Sequence, residues 1–429
     1  MTKKQTATPQ WVRLDNAAKI YPAARRKGWS NLFRLSATLT EPVDKAILQQ
    51  ALDVTVTRFP TIAAQLRRGL FWFYLQQVPE APSLSPEYSY PLVHMSRKEM
   101  RKCAFRVIAY HDRIAVEFFH SLTDATGATV FLKSLLAEYL EQKHGIRVPA
   151  EEGVLDRTQT PQPEELEDSF PKFAGPVKSS RKDTIAWRMS GSPLPEGKQK
   201  LVCFQLPVSQ VKEAASRYGV SITVFLSAVM MQALKNLQAE KTPDRRHYKP
   251  VKILIPVNLR RLFPSHTLRN FSMFVVPEIN PLLGEYSFQE ICDVIRHKLG
   301  LEANAKHMST VIATNVGDEQ KWIVRGIPLP IKNLVMKAVF DSVGEKTTCL
   351  CMSNMGIMRV PPIMAPYIRR MDFILGPQAS APYNCGLITW QDTIYINFIR
   401  DIHDPELERH FHLALQALGL TATVETNES

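Results

Sequence analysis

The feature that most limits what this chain can fold into is a rhythm, heard twice, of strand-like apolar runs followed by segments with helical apolar spacing. Residues 31–39 read as a strand, and the stretch from Pro42 to Phe59 sets Ile47, Ala51, Leu52 and Val56 at helical intervals before Pro60 ends it. Leu70 to Gln76 is rich in aromatic residues and reads as a further strand. Phe105–Tyr110 and Ile114–Phe119 flank His111-Asp112-Arg113 as a hairpin. A helix carrying Val130, Phe131, Leu135, Leu136, Tyr139 and Leu140 then runs to a stop near Gly145.

From about Ile146 to Lys200 the character changes, with Pro161, Pro163, Pro171, Pro176, Pro193 and Pro195, an acidic run Glu164–Asp168 and a basic run Lys178–Lys182. This segment reads as a crossover. Beyond it the rhythm resumes: strand Leu201–Leu206, helices Ser209–Tyr218 and Thr223–Leu237, and strand Val251–Val257. A strand-like stretch from Phe271 to Glu278 and a helix near Phe288–Leu299 follow. An amphipathic segment Ile331–Phe340, strands around Thr348–Ser353, Asp372–Leu375, Cys385–Trp390 and Thr393–Ile399, and a helix Pro405–Leu418 complete the chain. The expected organisation is an α/β chain of α+β two-layer type: an N-terminal subdomain over 1–175, a linker over 176–200, and a C-terminal subdomain over 201–429.

Composition narrows the function classes. The longest apolar run, Ile222–Leu234, is interrupted by Ser227 and Gln232 and is shorter than the roughly 20 residues that a spanning helix needs. The start, Met1-Thr2-Lys3-Lys4-Gln5-Thr6, leads into Trp11 without the apolar core of a secretion signal, so a cytoplasmic location is expected. Cys103, Cys203, Cys292, Cys349, Cys351 and Cys385 form no Cys-x-x-Cys pair, which suggests neither a disulfide framework nor a metal site. His410 and His412 are two residues apart on a helix and do not share a face, so no zinc site is expected there. The net charge of +12 favours anionic partners. The basic residues are short pairs spread along the whole chain rather than one stripe, which argues against nucleic acid. A Gly-x-Ser-x-Gly elbow, a P-loop and a Gly-x-Gly-x-x-Gly fingerprint are all missing.

One histidine stands apart from the other ten. Only His120 is followed four residues later by an aspartate, Asp124, and it lies between a strand end and a helix start with Gly127 close by. An imidazole with an ordinary pKa near 6.5 is the side chain best suited to removing a proton from an alcohol or amine as a new bond forms.

The stretch Phe119-His120-Ser121-Leu122-Thr123-Asp124-Ala125 resembles the His-His-x-x-x-Asp-Gly signature of the chloramphenicol-acetyltransferase-like superfamily, which includes condensation domains and alcohol O-acetyltransferases. Phe119 and Ala125 stand where the signature has its first histidine and its glycine. Pro256-Val257-Asn258-Leu259-Arg260 resembles the superfamily's Pro-Val-Asn-x-Arg segment. Met352-Ser353-Asn354-Met355-Gly356 is similar to its Ser-Asn-x-Gly segment, and Asp372-Phe373-Ile374-Leu375-Gly376 to a degenerate Asp-Phe-Gly-Trp-Gly. The opening from Trp11 to Pro22 and the following Phe33-Arg34-Leu35-Ser36-Ala37 most resemble the bacterial proteins labelled alcohol acetyltransferases.

The resemblance implies two acetyltransferase-like subdomains forming a V-shaped pseudo-dimer around a central channel. It implies His120 as general base, Asp124 and Arg260 as a pair supporting its loop, and Ser353 and Asn354 near the oxyanion or substrate. Asp372 and Gly376 are implied to be architectural. The expected activity is transfer of an acyl group from a thioester to an alcohol or amine, with no bound cofactor or metal and with acyl-coenzyme A as co-substrate. The alternatives are an acyl-carrier protein as donor, in a condensation-type enzyme, or a non-catalytic member that binds an acyl or lipid ligand. The chain is expected to act as a monomer. Two features stay open: the methionines of the second half either fill the core or line an acyl tunnel, and the segment 331–340 is a core helix, a lid or a peripheral membrane contact.

Overall fold

The computed structural model describes residues 11–24, 31–88, 90–178, 184–195, 197–320, 326–339, 347–377 and 381–427. The basic stretch Met1–Thr6, the run beyond Lys178 and the position of Phe340 lie outside the described residues, as do the side chains of 337–339.

The first half is a sheet backed by helices. Strands β2 (Leu32–Leu39), β5 (Phe105–Tyr110) and β6 (Arg113–Phe119) pair antiparallel, and helices α2 (Lys45–Arg58) and α4 (Ala125–His144) pack together over them. Alternation along β2 explains the two faces: Phe33, Leu35, Ala37 and Leu39 belong to the apolar core, whereas Arg34, Ser36 and Thr38 point the other way. Asp44 caps α2 by accepting from the backbone N–H groups of Ala46 and Ile47, and Gly145, at φ 66°, ends α4. A small sheet of β1 (Trp11–Arg13), β3 (Ala64–Arg68) and β4 (Phe73–Gln77) sits beside this half. Short helices α1 (Ile20–Ala24), α3 (Arg97–Met100) and α5 (Pro163–Leu166) lie in the connections.

The second half repeats the scheme. Its sheet has the order β10 (Glu278–Ile279), β8 (Val251–Asn258), β11 (Leu350–Ile357), β13 (Tyr383–Trp390), β14 (Thr393–Arg400), β7 (Lys200–Pro207) and β15 (Thr423–Thr426), with β9 (Ser272–Val275) also on β8. Helices α6 (Val208–Arg217), α7 (Ile222–Lys241), α8 (Phe288–Glu302) and α11 (Glu406–Ala417) enclose a second core, with α7 at its centre. No single described helix is long and apolar enough to cross a membrane; α7 is apolar because it is buried. Helices α9 (Ala305–Gln320) and α10 (Leu329–Val339) lie between β10 and β11 in sequence.

The two halves exchange a strand. β12 (Ile368–Leu375) follows β11 in sequence but pairs with β2, setting Asp372 opposite Ser36 and Phe373 opposite Leu35. The stretch 201–429 thus supplies the edge strand of the first sheet.

Several sequence expectations shift for physical reasons. The aromatic run from Leu70 belongs partly to a turn: Gly69 N–H donates to the Trp72 carbonyl, so Leu70 and Phe71 sit at a hairpin tip and β4 begins only at Phe73. Phe271–Glu278 is divided into β9 and β10. Helix α9 escapes propensity because Thr310, Val311, Ile312, Thr314 and Val316 are β-branched; it forms by burying Met308, Val311, Ile312 and Val316 against Phe170, Phe271 and Met273. Met230, Met231, Met352, Met358, Met364 and Met371 are buried in the cores and fill space there.

The polar face of the first sheet holds a buried charge network. Glu117 is fully buried and accepts from Arg34 Nε at 2.7 Å and Arg106 Nε at 2.5 Å, while Arg34 also grips Glu87. Glu117→Ala leaves the buried Arg106 guanidinium without its carboxylate and takes from Arg34 one of its two, and is expected to destabilise the protein by about 3–5 kcal/mol, visible as a lower urea midpoint with an unchanged slope.

Candidate active site

His120 stands where β6 ends. Its backbone N–H donates to the Asn31 carbonyl at 3.0 Å, and the chain turns at once into α4. The imidazole is half-buried, stacked on Tyr21 of α1 at 4.5 Å between centroids and tilted 59° against Phe33 of β2 at 5.0 Å. Its Nδ1 lies 3.1 Å from Oδ1 of Asn270. The Asn270 amide is oriented by Asp15, whose Oδ2 accepts from Asn270 Nδ2 at 3.2 Å, so Oδ1 faces the imidazole as an acceptor. Nδ1 therefore carries the hydrogen in the neutral ring, and Nε2 keeps a free lone pair.

Asp15 is fully buried and is held by the Ala18 N–H at 2.8 Å and by the nearby guanidinium of Arg269. Burial pushes its carboxyl up, while Arg269, Ala18 and Asn270 pull it down. The His120 imidazole is pulled below its ordinary value by burial, against the opposing influence of its own backbone, Asp124, Asn270 and Asp15. Burial, reinforced by Asp15, Asp124 and Cys351, pushes the Tyr21 phenol up, so it remains protonated beside the imidazole.

The loop beneath His120 is clamped by one carboxylate. Asp124 Oδ1 caps α4, accepting from Thr126 N–H and Gly127 N–H at 3.1 Å each. Asp124 Oδ2 accepts from Arg260 Nη1 at 2.7 Å and from Phe271 N–H at 2.8 Å. Arg260 in turn donates to the carbonyls of Thr267 and Arg269, shaping the loop that delivers Asn270. The Pro-Val-Asn-x-Arg segment closes the arrangement, since Asn258 Nδ2 donates to Thr126 Oγ1 at 3.1 Å.

Close approach explains the glycine in this loop. Ala125 is the first residue of α4 and is half-buried. The crowded position is Gly127, where an added Cβ would lie 2.2 Å from both the Leu268 carbonyl oxygen and Thr123 Oγ1.

The Ser-Asn-x-Gly segment forms a bulge in β11. Gly356 adopts φ 72°, its N–H donates to Asn354 Oδ1 at 2.8 Å, and the pairing with β13 shifts between Asn354 and Ile357. Asn354 Nδ2 donates to Thr223 Oγ1 near the start of α7, so both ends of its amide serve the fold. Ser353 is buried on the same strand, two residues after Cys351, a group close enough to influence Tyr21. Asp372 is bonded to Arg370 at 2.8 Å and to Asn397 Nδ2 at 3.2 Å on the exchanged strand, and Gly376 N–H donates to the Leu32 carbonyl at 3.0 Å. Of the residues singled out from sequence, the structure pairs Asp124 with Arg260, joins both to His120 through the loop that carries Asn270, buries Ser353 on β11, and sets Asp372 and Gly376 at the strand exchange.

No protein-family model matches the sequence, and no curated protein matches it. Solved structures do. The trichothecene 15-O-acetyltransferase TRI3 from Fusarium sporotrichioides aligns over 95% of this chain and 94% of its own, with a TM-score of 0.60 at 10% identity. TRI101 from F. sporotrichioides, complexed with coenzyme A and T-2, aligns over 97% of this chain and 100% of its own, with a TM-score of 0.61 at 12% identity. The first condensation domain of the CDA synthetase covers 97% and 100% with a TM-score of 0.56 at 12% identity. The chain has the chloramphenicol-acetyltransferase-like fold. Coverage of nearly every residue on both sides fits the two-halved architecture.

A cavity of about 520 Å³ opens elsewhere in this acetyltransferase-like fold, between the polar face of β2, β6 and β12 and the strands β7 and β14. His120 is not in its lining, and the charges there are paired, Arg34 with Glu87 and Arg370 with Asp372. This cavity is therefore separate from the imidazole at the end of β6.

Sequence reasoning missed Asn270, Asp15, Tyr21 and Phe33. Asp15 and Tyr21 fall in the Trp11–Pro22 opening that carried part of the resemblance, but no pattern there marks a contact with a residue a hundred positions away. Asp124→Ala removes the α4 cap and leaves Arg260 without its carboxylate; a loss of about 3–5 kcal/mol is expected in urea unfolding.

Proposed function

We propose that this chain is an acyltransferase that moves an acyl group from a thioester to an alcohol or amine, with His120 as general base. The observation that carries the reading is the oriented imidazole: Nδ1–H tied to Asn270, Nε2 free, and a ring that keeps some exposure. Nε2 takes the proton from the acceptor as its oxygen or nitrogen attacks the thioester carbonyl. The tetrahedral intermediate carries its negative charge on the former carbonyl oxygen. Its collapse breaks the carbon–sulfur bond, and the departing thiolate recovers the proton from Nε2. Asp124 and Arg260 act as positioning residues, because they hold the loop and never need to meet substrate. Ser353 is the side chain we assign to the oxyanion; one such donor contributes about 2.7–4 kcal/mol where it acts.

Two solved relatives of the fold support the choice of donor. TRI3 is named as an acetyltransferase and TRI101 was solved with coenzyme A, and the net charge of +12 suits a polyphosphorylated donor. Acyl-coenzyme A is therefore our first candidate and an acyl-carrier protein the second, since a condensation domain shares the fold. Incubating purified protein with each donor and a panel of alcohols and amines, with products read by mass spectrometry, separates them. Product from neither donor would leave the non-catalytic ligand-binding reading.

His120→Ala is expected to lower kcat by about 100-fold or more with donor binding retained. Asn270→Ala keeps the base but frees its ring, and should cost up to about 100-fold through misorientation alone. The pH profile gives an independent check. Because burial lowers the His120 pKa, the imidazole stays neutral through neutral pH and loses its lone pair only in more acidic solution. The acid limb of kcat/KM is expected to bend below about pH 6.5, the value of an unperturbed histidine; a bend above it would contradict the assigned base.

A further inference from the structure

Helix α10 is turned inside out. In a surface helix of a globular protein the aliphatic stripe faces the core and the charged residues face water. Here Ile331, Leu334 and Val335, at i, i+3 and i+4, are 56%, 71% and 52% exposed, while Lys332 is buried. The lysine is drawn inward by the β3–β4 hairpin: its Nζ lies 3.4 Å from the centroid of the Trp72 ring and donates to the Phe71 carbonyl at 3.0 Å. The backbone N–H of Leu329 donates to the Leu70 carbonyl at 2.9 Å, so the hairpin tip adjoins the start of the helix. That tip is itself apolar and exposed, with Leu70 82% open to solvent and Phe71 beside it. The result is a contiguous apolar surface of a kind that monomeric soluble proteins seldom leave uncovered.

Charge identifies what covers it. The sequence of the hairpin (64–77), of α10 and of residues 17–24 contains five charged residues, Lys19, Arg67, Arg68, Lys332 and Lys337, and all are cations. Lys19 lies over Trp72 at 5.4 Å from the ring centroid, in addition to Lys332. A second copy of the chain would bring two such sets face to face, which repels. An anionic lipid surface would meet the exposed Arg68 and the half-buried Arg67 and Lys19 while taking up the exposed leucines, isoleucine and phenylalanine.

We propose that the Leu70–Phe71 tip and the exposed face of α10 form a docking surface for an anionic lipid bilayer. The surface is built on the walls of the candidate active site. α10 packs on α1, and α1 carries Tyr21, the ring stacked on His120. Docking therefore sets the His120 region close to the bilayer, and, resting on the acyltransferase reading above, points to an acceptor alcohol held in the membrane.

The test is flotation of the purified full chain with vesicles of phosphatidylcholine alone or with 30 mol% phosphatidylglycerol, about a composition that gives a strongly negative surface. Binding to the anionic vesicles, weakened by added salt and reduced at least about tenfold in a Leu70→Glu/Leu334→Glu variant with an unchanged urea midpoint, supports the proposal. Absence of binding, equal binding by the variant, or a concentration-dependent dimer that the variant abolishes without vesicle binding overturns it. His120→Ala leaves this surface intact and should float as the wild type does. Failure of docking and failure of acyl transfer are thereby read separately: a wild-type protein that floats but forms no product from a membrane-held long-chain alcohol refutes the acyltransferase reading alone.

Discussion

The Asp124 carboxylate is the junction on which the candidate site depends, because its two oxygens do different work. Oδ1 ends the free N–H groups at the start of α4, and so sets the direction in which the chain leaves His120. Oδ2 meets Arg260 and the Phe271 N–H, both from the second half. Arg260 then shapes the 267–271 loop through carbonyl contacts, and that loop presents Asn270 to the imidazole. A charge buried this deeply is tolerable only when every lone pair is engaged, which is the case here.

A second junction works by strand exchange. β12 leaves the sheet of the second half and completes that of the first, so the halves share backbone hydrogen bonds. Asp372 stands on this strand, bonded across to Asn397 of β14, and Gly376 directly follows it, approaching Leu32. Phe33, which walls the imidazole of the candidate site, is on the neighbouring strand β2, with Phe373 packed against it. Positioning of the imidazole thus comes from both halves, while the exposed hairpin tip and α10 lie on the outer side of α1.

Much of the fold was legible because local periodicity and local burial agree. The hairpin β5–β6, helices α2, α4, α6, α7 and α11, and strands β7, β8, β13 and β14 lie where apolar spacing and end signals place them. Where they disagree, the sequence misleads. Leu70 and Phe71 have strand composition but occupy a turn, and α9 has a β-branched composition but buries a helical stripe. β15 is a fully exposed edge strand with no apolar alternation to betray it. In the site, His120, Asp124 and Arg260 were legible because a short motif holds each residue type at a fixed interval. Asn270 was not, for it sits in a loop of no period, and its role arises from a contact 150 residues away in sequence.

The sequence by itself determined which imidazole stands between a strand end and a helix start, which carboxylate caps that helix, and that the chain alternates strands and helices in two stretches. These follow from local chemistry: a strand end, a helix start and an imidazole between them are neighbours along the chain. Only the tertiary structure decided which imidazole nitrogen is free, because that depends on Asn270 and Asp15, 255 residues apart in sequence, meeting beside it. It also decided that Lys332 turns inward and three aliphatic residues turn outward on α10, since the direction of a helical face is set by what it packs against and not by its own pattern.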